Sequence, residues 1–377
     1  MKCNICGDRT VLLFDEEVQE RQYGHPSNRI NFSQIRIEYC AGCDVAFNSN
    51  MTDQIVKSLY INQPQTNAVV EMSMEKRISD TADFVGDNLT LKPKKILEIG
   101  SGDGAIATYF DGIADQIDFV EPGAKPLGFK SSSGTRIEVI DKFFTPDVVS
   151  NNNYDLIIFK QVLEHTLNPL NFIADVVGVL QSQGMIYCEV PNLEFILKHG
   201  ATQDFHIQHV QYFTIFGLVK LFKRFNLTPR MVQDIKIGHD FGILFSRSQD
   251  PAFSRGSPLA EADLLQFFAQ VHQQRDFYQQ LSEDGSIAPL FLYGATSTAL
   301  EPLRRLQVES ILDDAQHLTD WYMPSLTNWV KIESGDNIIK DAHYLISAYL
   351  HGETIANKIK SKGGVPIKFR EKIYCDF

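Results

Sequence analysis

The sequence predicts an α/β protein in three parts. These are an N-terminal four-cysteine zinc-binding module, an open α/β sheet with a cofactor at its edge, and a second, smaller α/β domain. Three observations predict it. Four of the six cysteines come as two CxxC pairs, Cys3/Cys6 and Cys40/Cys43. A strand, a glycine-rich turn and a helix follow one another in KKILEIGSGDGAIATYF (94–110). The same succession returns in LFLYGATSTALEPLRRL (290–306), after a long amphipathic helical stretch at 258–281. A chain of 377 residues has room for two or three domains, and the expected divisions are 1–62, 63–255 and 256–377.

Composition narrows the function. Hydrophobic residues make up 44% and charged residues 22%, the mix of a globular protein. A net charge of −12 with no Lys/Arg cluster argues against a nucleic-acid partner, because phosphate recognition needs a basic face. No apolar run approaches about 18 residues, so no membrane span is expected. The start, Met-Lys-Cys-Asn-Ile-Cys, has no apolar signal-peptide core. The expected location is the cytoplasm, where thiols stay reduced and paired cysteines serve as metal ligands.

Two residues between cysteines let both thiolates of a tight turn point at one ion, and two such turns complete a tetrahedral Zn2+ site. The ligands expected are Cys3, Cys6, Cys40 and Cys43, in a structural role because thiolates fill all four positions. The 33 residues between the pairs exceed the usual ribbon spacing and carry two strand-like runs, RTVLLFD and INFSQIRIEYC.

The glycine turn lies at the carboxyl end of a buried strand, Ile96–Ile99, where open α/β sheets bind cofactors. Its arrangement, E-x-G-x-G-x-G from Glu98, departs from the dinucleotide pattern. DFVEP (118–122) gives a second strand ending at Glu121, about twenty residues on, where a carboxylate can bind both ribose hydroxyls. RIEVIDKFF (136–144) is a third strand, YDLIIFKQVLEH (154–165) a fourth running into a helix, and GMIYCEVPN (184–192) a fifth. FTIFGLVKLFKRF (213–225) has helical spacing, and RMVQDIKIGHDFGILFSRS forms an antiparallel hairpin around Gly238-His239-Asp240.

This succession resembles the class I S-adenosylmethionine (SAM)-dependent methyltransferases over residues 80–250. ILEIGSGDG is similar to their first motif, Glu121 to their ribose-binding acid, and YDLIIFKQVLEH to their fourth motif. The resemblance implies that Gly100, Ser101, Gly102 and Gly104 line the methionine portion of SAM, beside Glu98. Glu121 would bind the ribose, with Pro122, Lys142 and Phe143 near the adenine and Gln161 and Val162 near the sulfonium. Lys142 departs from the acidic or polar residue many relatives carry. Tyr60 resembles a tyrosine that closes over SAM.

Zinc cysteines, SAM core and a trailing Rossmann-like domain, in that order, resemble the nucleotide-sugar C-methyltransferases. Those enzymes methylate carbon 3 of a 4-keto sugar linked to a nucleoside diphosphate. The resemblance implies a small-molecule partner of that kind. The single glycine of YGATSTA is too little for a dinucleotide, so the C-terminal domain reads as a degenerate Rossmann-like domain that helps hold substrate or dimerise, and a monomer or homodimer is expected.

Methylating carbon needs a base for the proton beside a ketone and a donor for the enolate oxygen. Histidine suits the base role near neutral pH. The family's Tyr-x-Glu-His cluster after strand five matches His206-Ile207-Gln208-His209 here, ahead of Tyr212-Phe213. His209 matches the family histidine, His206 stands at the tyrosine and Gln208 at the glutamate. The residues leave either histidine open as the base, with the other on the oxyanion. His165, in VLEHTLNP, is open to a structural or substrate-side role. The alternative functions are O- or N-methylation of another sugar or small polar metabolite, or SAM binding without catalysis.

Overall fold

The structure, a computed structural model, describes residues 1–56, 72–100, 105–122, 131–149, 153–247, 255–348 and 351–369. They pack as two compact units. The first comprises residues 1–12, 37–195 and 208–259, and the second 13–36, 196–207 and 260–377. The division falls within the strands β1 (Val11–Gln19) and β2 (Phe32–Cys40).

In the first unit the chain continues through β3 (Val45–Asn48), α1 (Met72–Asp87), β4 (Lys95–Ile99) and α2 (Ala105–Thr108). Then come β5 (Gln116–Val120), β6 (Arg136–Ile140), β7 (Tyr154–Lys160), α3 (Pro169–Val179) and β8 (Leu180–Pro191). It ends with β9 (Gln211–Phe213), α4 (Ile215–Lys223), β10 (Thr228–Ile235) and β11 (Asp240–Ser246). Seven strands form one sheet in the order β6-β5-β4-β7-β8-β11-β10. The five central and leading strands run parallel, and β11 is antiparallel to both β8 and β10. The five expected strands and the reversed last strand are therefore all present.

Alternation of side chains explains why these strands read as apolar runs. Leu97, Ile99, Ile157, Phe159, Ile186 and Val190 pack on one face. Ile96, Leu156, Ile158, Met185 and Tyr187 pack on the other. A parallel sheet covered on both faces needs apolar residues at every position. The fourth strand does not run straight into a helix. A single 3-10 turn, Leu163–His165, comes first. The helix α3 starts at Pro169, with the Asn168 side chain accepting the Asn171 N–H at 3.1 Å.

The cysteine segment shares the core of this unit. Cys3, Cys40, Cys43, Val45 and Phe47 belong to the same buried cluster as Leu97 and Phe159. The segment Ile37–Cys40 of β2 pairs with β3, and β3 pairs antiparallel with β9. At the start of α4, the Thr214 hydroxyl accepts the Gly217 N–H at 2.8 Å and donates to the buried Asp44. A Cβ on Gly217 would stand 2.1 Å from the Asp44 carbonyl oxygen, so only glycine permits this approach.

The second unit holds the long helix α5 (Glu261–Glu283), β12 (Leu290–Tyr293), β13 (Ile311–Asp313) and β14 (Tyr322–Pro324). It continues with β15 (Trp329–Ser334), β16 (His343–Ile346), α6 (Gly352–Ser361) and β17 (Val365–Ile367). The sheet order is β14-β15-β13-β12-β16-β17, parallel except for β14. Leu290 and Leu292 face one core cluster, and Phe291 and Tyr293 the other. Residues 13–36, between the cysteine pairs, pack here: the Tyr23 hydroxyl donates to the Ala295 carbonyl at 2.6 Å, and the Trp329 indole N–H to the Asn28 carbonyl at 2.7 Å. No helix among the described residues is long and apolar enough to cross a membrane.

Candidate active site and cysteine cluster

The carboxyl ends of β4, β5 and β7 lie side by side, with Ile99 opposite both Val120 and Phe159. The residues immediately after them form the candidate cofactor edge. Gly100 has φ +67°, and its N–H bonds the Val120 carbonyl at 2.9 Å. A Cβ there would stand 2.2 Å from Cγ2 of Val162. Two residues expected at the cofactor are thus in close approach, and the turn requires glycine for both its φ and its space. Gln161 also has positive φ, +55°, and its N–H bonds the Glu189 carbonyl at 2.9 Å.

Glu98 is buried, and its Oε2 accepts the Ala107 N–H at 2.8 Å, which anchors α2 as the chain leaves the turn. Glu121 and Pro122 follow β5 directly, with the Glu121 N–H on the Ile140 carbonyl at 3.1 Å. Lys142 bonds the same carbonyl at 3.0 Å through its N–H, and the Phe143 ring is exposed. This edge fits a nucleoside cofactor: strand ends converge, glycine lets the backbone approach, and an acid follows the second strand. Tyr60, Ser101, Gly102 and Gly104 lie outside the described residues.

His209 and His165 come together on this unit. Their ring centroids are 5.0 Å apart, edge to face, and the Tyr212 ring lies 5.8 Å from His209. His165 Nδ1 is 2.8 Å from the Gln208 carbonyl. A carbonyl only accepts, so Nδ1 carries the proton and Nε2 is the acceptor. Burial holds the His165 pKa down, against the opposing effect of that bond, which favours the neutral ring. The division of the chain falls between residues 207 and 208, so His206 belongs to the second unit and Gln208 and His209 to the first.

Glu164 is the residue that sequence reasoning missed. It is completely buried, and its Oε1 lies 3.9 Å from His165 Nε2. Neither carboxyl oxygen has a hydrogen-bond partner among the described residues. Burial, with Asp240 and Glu189 nearby, raises its pKa well above the usual carboxyl range despite Lys236. Its only signal in the sequence is an acid beside His165 after the fourth strand. Forty-three positions separate His165 from Gln208, so no local spacing announces the cluster. Glu189 on β8 is buried too, and burial raises its pKa, with Lys160 opposing.

The four predicted zinc ligands also converge. Cys6 and Cys40 sulfurs are 3.5 Å apart and those of Cys3 and Cys43 4.0 Å, and all four lie within 4.8 Å of one another. Four thiolates at ~2.3 Å from a tetrahedral zinc stand about 3.8 Å apart. The Ile5 N–H points at the Cys3 sulfur at 3.3 Å, as expected of a metal-binding turn. The Cys43 thiol beside it holds Cys3 down to about 5, while burial pushes Cys40 up to about 12. The cluster is compatible with zinc.

Residues 71–232 match the family model for a methyltransferase domain. No curated protein matches the chain. Among solved structures it is similar to a 1,6-didemethyltoxoflavin N1-methyltransferase from Burkholderia thailandensis with bound S-adenosylhomocysteine. That likeness has 15% identity and TM-score 0.41, over 60% of this chain and 100% of the other. It is also similar to a magnesium protoporphyrin IX methyltransferase from Synechocystis with bound S-adenosylhomocysteine. There the identity is 10% and the TM-score 0.38, over 53% of this chain and 96% of the other. The family match falls on the stretch that carries the glycine turn, Glu121 and the 3-2-1-4-5 parallel strands. Residues 71–232 therefore form a methyltransferase domain, and the protein is a SAM-dependent methyltransferase.

Proposed function

We propose that the protein methylates carbon in a nucleotide-linked keto-deoxysugar, through an enolate formed by His209. The observation that carries this reading is how the chain fixes His209. The Val210 N–H bonds the Glu164 carbonyl at 2.7 Å, and His165 bonds the Gln208 carbonyl. Both flanking peptides of His209 are thereby tied to the turn that follows β7, one of the strands ending at the cofactor edge.

Gly100, Glu121, Gln161 and Val162 would hold SAM, which supplies an electrophilic methyl group. His209 takes the proton beside the ketone, and the C–H electron pair becomes the enolate. The Gln208 amide is neutral and cannot take that proton; it suits donation to a sugar hydroxyl or the ketone oxygen. His206 is the second candidate base. The cysteine cluster would bind zinc as a structural staple, since protein thiolates occupy every coordination position.

Labelled SAM incubated with a panel of nucleoside diphosphate 4-keto sugars tests the function. The expected product carries the label in a methyl group on ring carbon, seen by NMR. Label on oxygen or nitrogen, or no transfer to any sugar, contradicts the proposal.

A further inference from the structure

Nearly all buried polar groups in proteins have partners, and each exception calls for an explanation, of which a bound ion is one. Glu164 is such an exception twice over. Its side chain is 1% exposed, and both carboxyl oxygens are buried without a hydrogen-bond partner among the described residues. Two imidazoles stand beside it. Glu164, His165 and His209 each offer one ligand atom, and those three atoms all lie within 4.8 Å of one another.

The orientation of His165 is the second observation. Its Nδ1 donates to the Gln208 carbonyl, which places Nε2 on the side of Glu164, 3.9 Å from Oε1. A metal-binding histidine is usually fixed in this way, its other nitrogen donating to a backbone carbonyl. Ligand atoms at ~2.0–2.2 Å from an ion stand roughly 3–3.5 Å apart, so the triad closes on an ion by moving about an ångström or less. The histidines are partly exposed, which gives an ion a way in.

We propose that Glu164, His165 and His209 form a second metal site, for a divalent transition ion of the Zn2+, Co2+ or Ni2+ class, and that its occupation takes His209 out of acid–base service. Two nitrogens and one carboxylate oxygen suit these ions better than Mg2+ or Ca2+, which prefer oxygen. A histidine whose lone pair is on the ion cannot accept a proton, so metal and base action are alternatives. The inhibitory half of the proposal rests on the reading of His209 as the base; the binding half does not.

The test uses the full chain with its cysteine cluster loaded with Zn2+, titrated with Co2+. One further equivalent is expected, with the visible ligand-field bands of nitrogen and oxygen donors. Thiolate-to-cobalt charge transfer would instead mark exchange into the cysteine cluster. Glu164→Gln and His165→Gln should each weaken binding by at least about tenfold. His165 is partly exposed, so its variant carries the test should E164Q not fold. The site is overturned if no further Co2+ binds up to about millimolar, or if both variants bind like wild type. Excess Zn2+ should lower turnover at least tenfold, and H165Q should need about tenfold more Zn2+ for the same effect. Binding without inhibition would leave the site standing and overturn the role of His209 as base.

Discussion

Val210 donates its backbone N–H to the Glu164 carbonyl at 2.7 Å, which ties the strand carrying Tyr212 to the turn that ends the fourth parallel strand. His209 is held between this bond and the one from His165 to Gln208. His209→Ala should therefore cut turnover by about 10²–10⁴-fold. Its affinity for SAM, measured by calorimetry, should stay within about twofold, because the predicted cofactor residues lie elsewhere on the edge. A parallel loss of SAM binding would assign His209 to folding instead.

Gly100 and Val162 make a second local prediction. A methyl group on Gly100 meets Val162 Cγ2 at 2.2 Å, in a backbone conformation with φ +67°. Gly100→Ala should cost about 1–3 kcal/mol of stability and at least tenfold in SAM affinity. Adding Val162→Ala removes the clash but not the strain in φ. The double variant should recover part of the stability, read from denaturant midpoints; full additivity would show that the two side chains do not meet.

Removing one zinc ligand should damage the methyltransferase unit itself, because Cys40 and Cys43 share its core with Leu97 and Phe159. Cys40→Ser should fall from one bound zinc to less than half an equivalent by metal analysis. It should also lose at least about 3 kcal/mol of stability. Full zinc and an unchanged thermal midpoint would remove the staple role.

Asp240 provides a pH-dependent prediction. Burial alone would raise its pKa, but the His239 hydrogen bond at 2.6 Å and Lys236 at 2.7 Å outweigh it and hold the carboxyl down to about 2 from 3.8. A depressed folded-state pKa contributes stability above about pH 4, lost as pH falls through about 2. Asp240→Asn should cost about 2 kcal/mol at pH 7, and its gap to wild type should close between pH 4 and pH 2. A gap independent of pH would assign the loss to packing.

The parallel strands of the seven-stranded sheet were legible because a doubly covered parallel strand is apolar at nearly every position, as in Ile96–Ile99 and Ile157–Phe159. Turn chemistry was legible where one residue type is required, as at Gly100. Long-range pairing was not. Nothing local in Gln211–Phe213 says that it pairs with Val45–Asn48, or that residues 13–36 leave the cysteine pairs for the second unit. Pro169 is a start signal for α3, but the short turn before it was read as helix. Glu164 escaped notice because an acid beside a histidine is ordinary; its burial, set by the fold, is what makes it unusual.

The central claim is that His209 removes a proton from carbon beside a ketone, and exchange of that proton tests it without requiring methyl transfer. Wild-type protein incubated with a nucleotide 4-keto sugar in deuterium oxide, with S-adenosylhomocysteine in place of SAM, should wash deuterium into carbon 3. The account predicts that His209→Ala abolishes this exchange while His206→Ala retains it. Exchange at the wild-type rate in His209→Ala would contradict it.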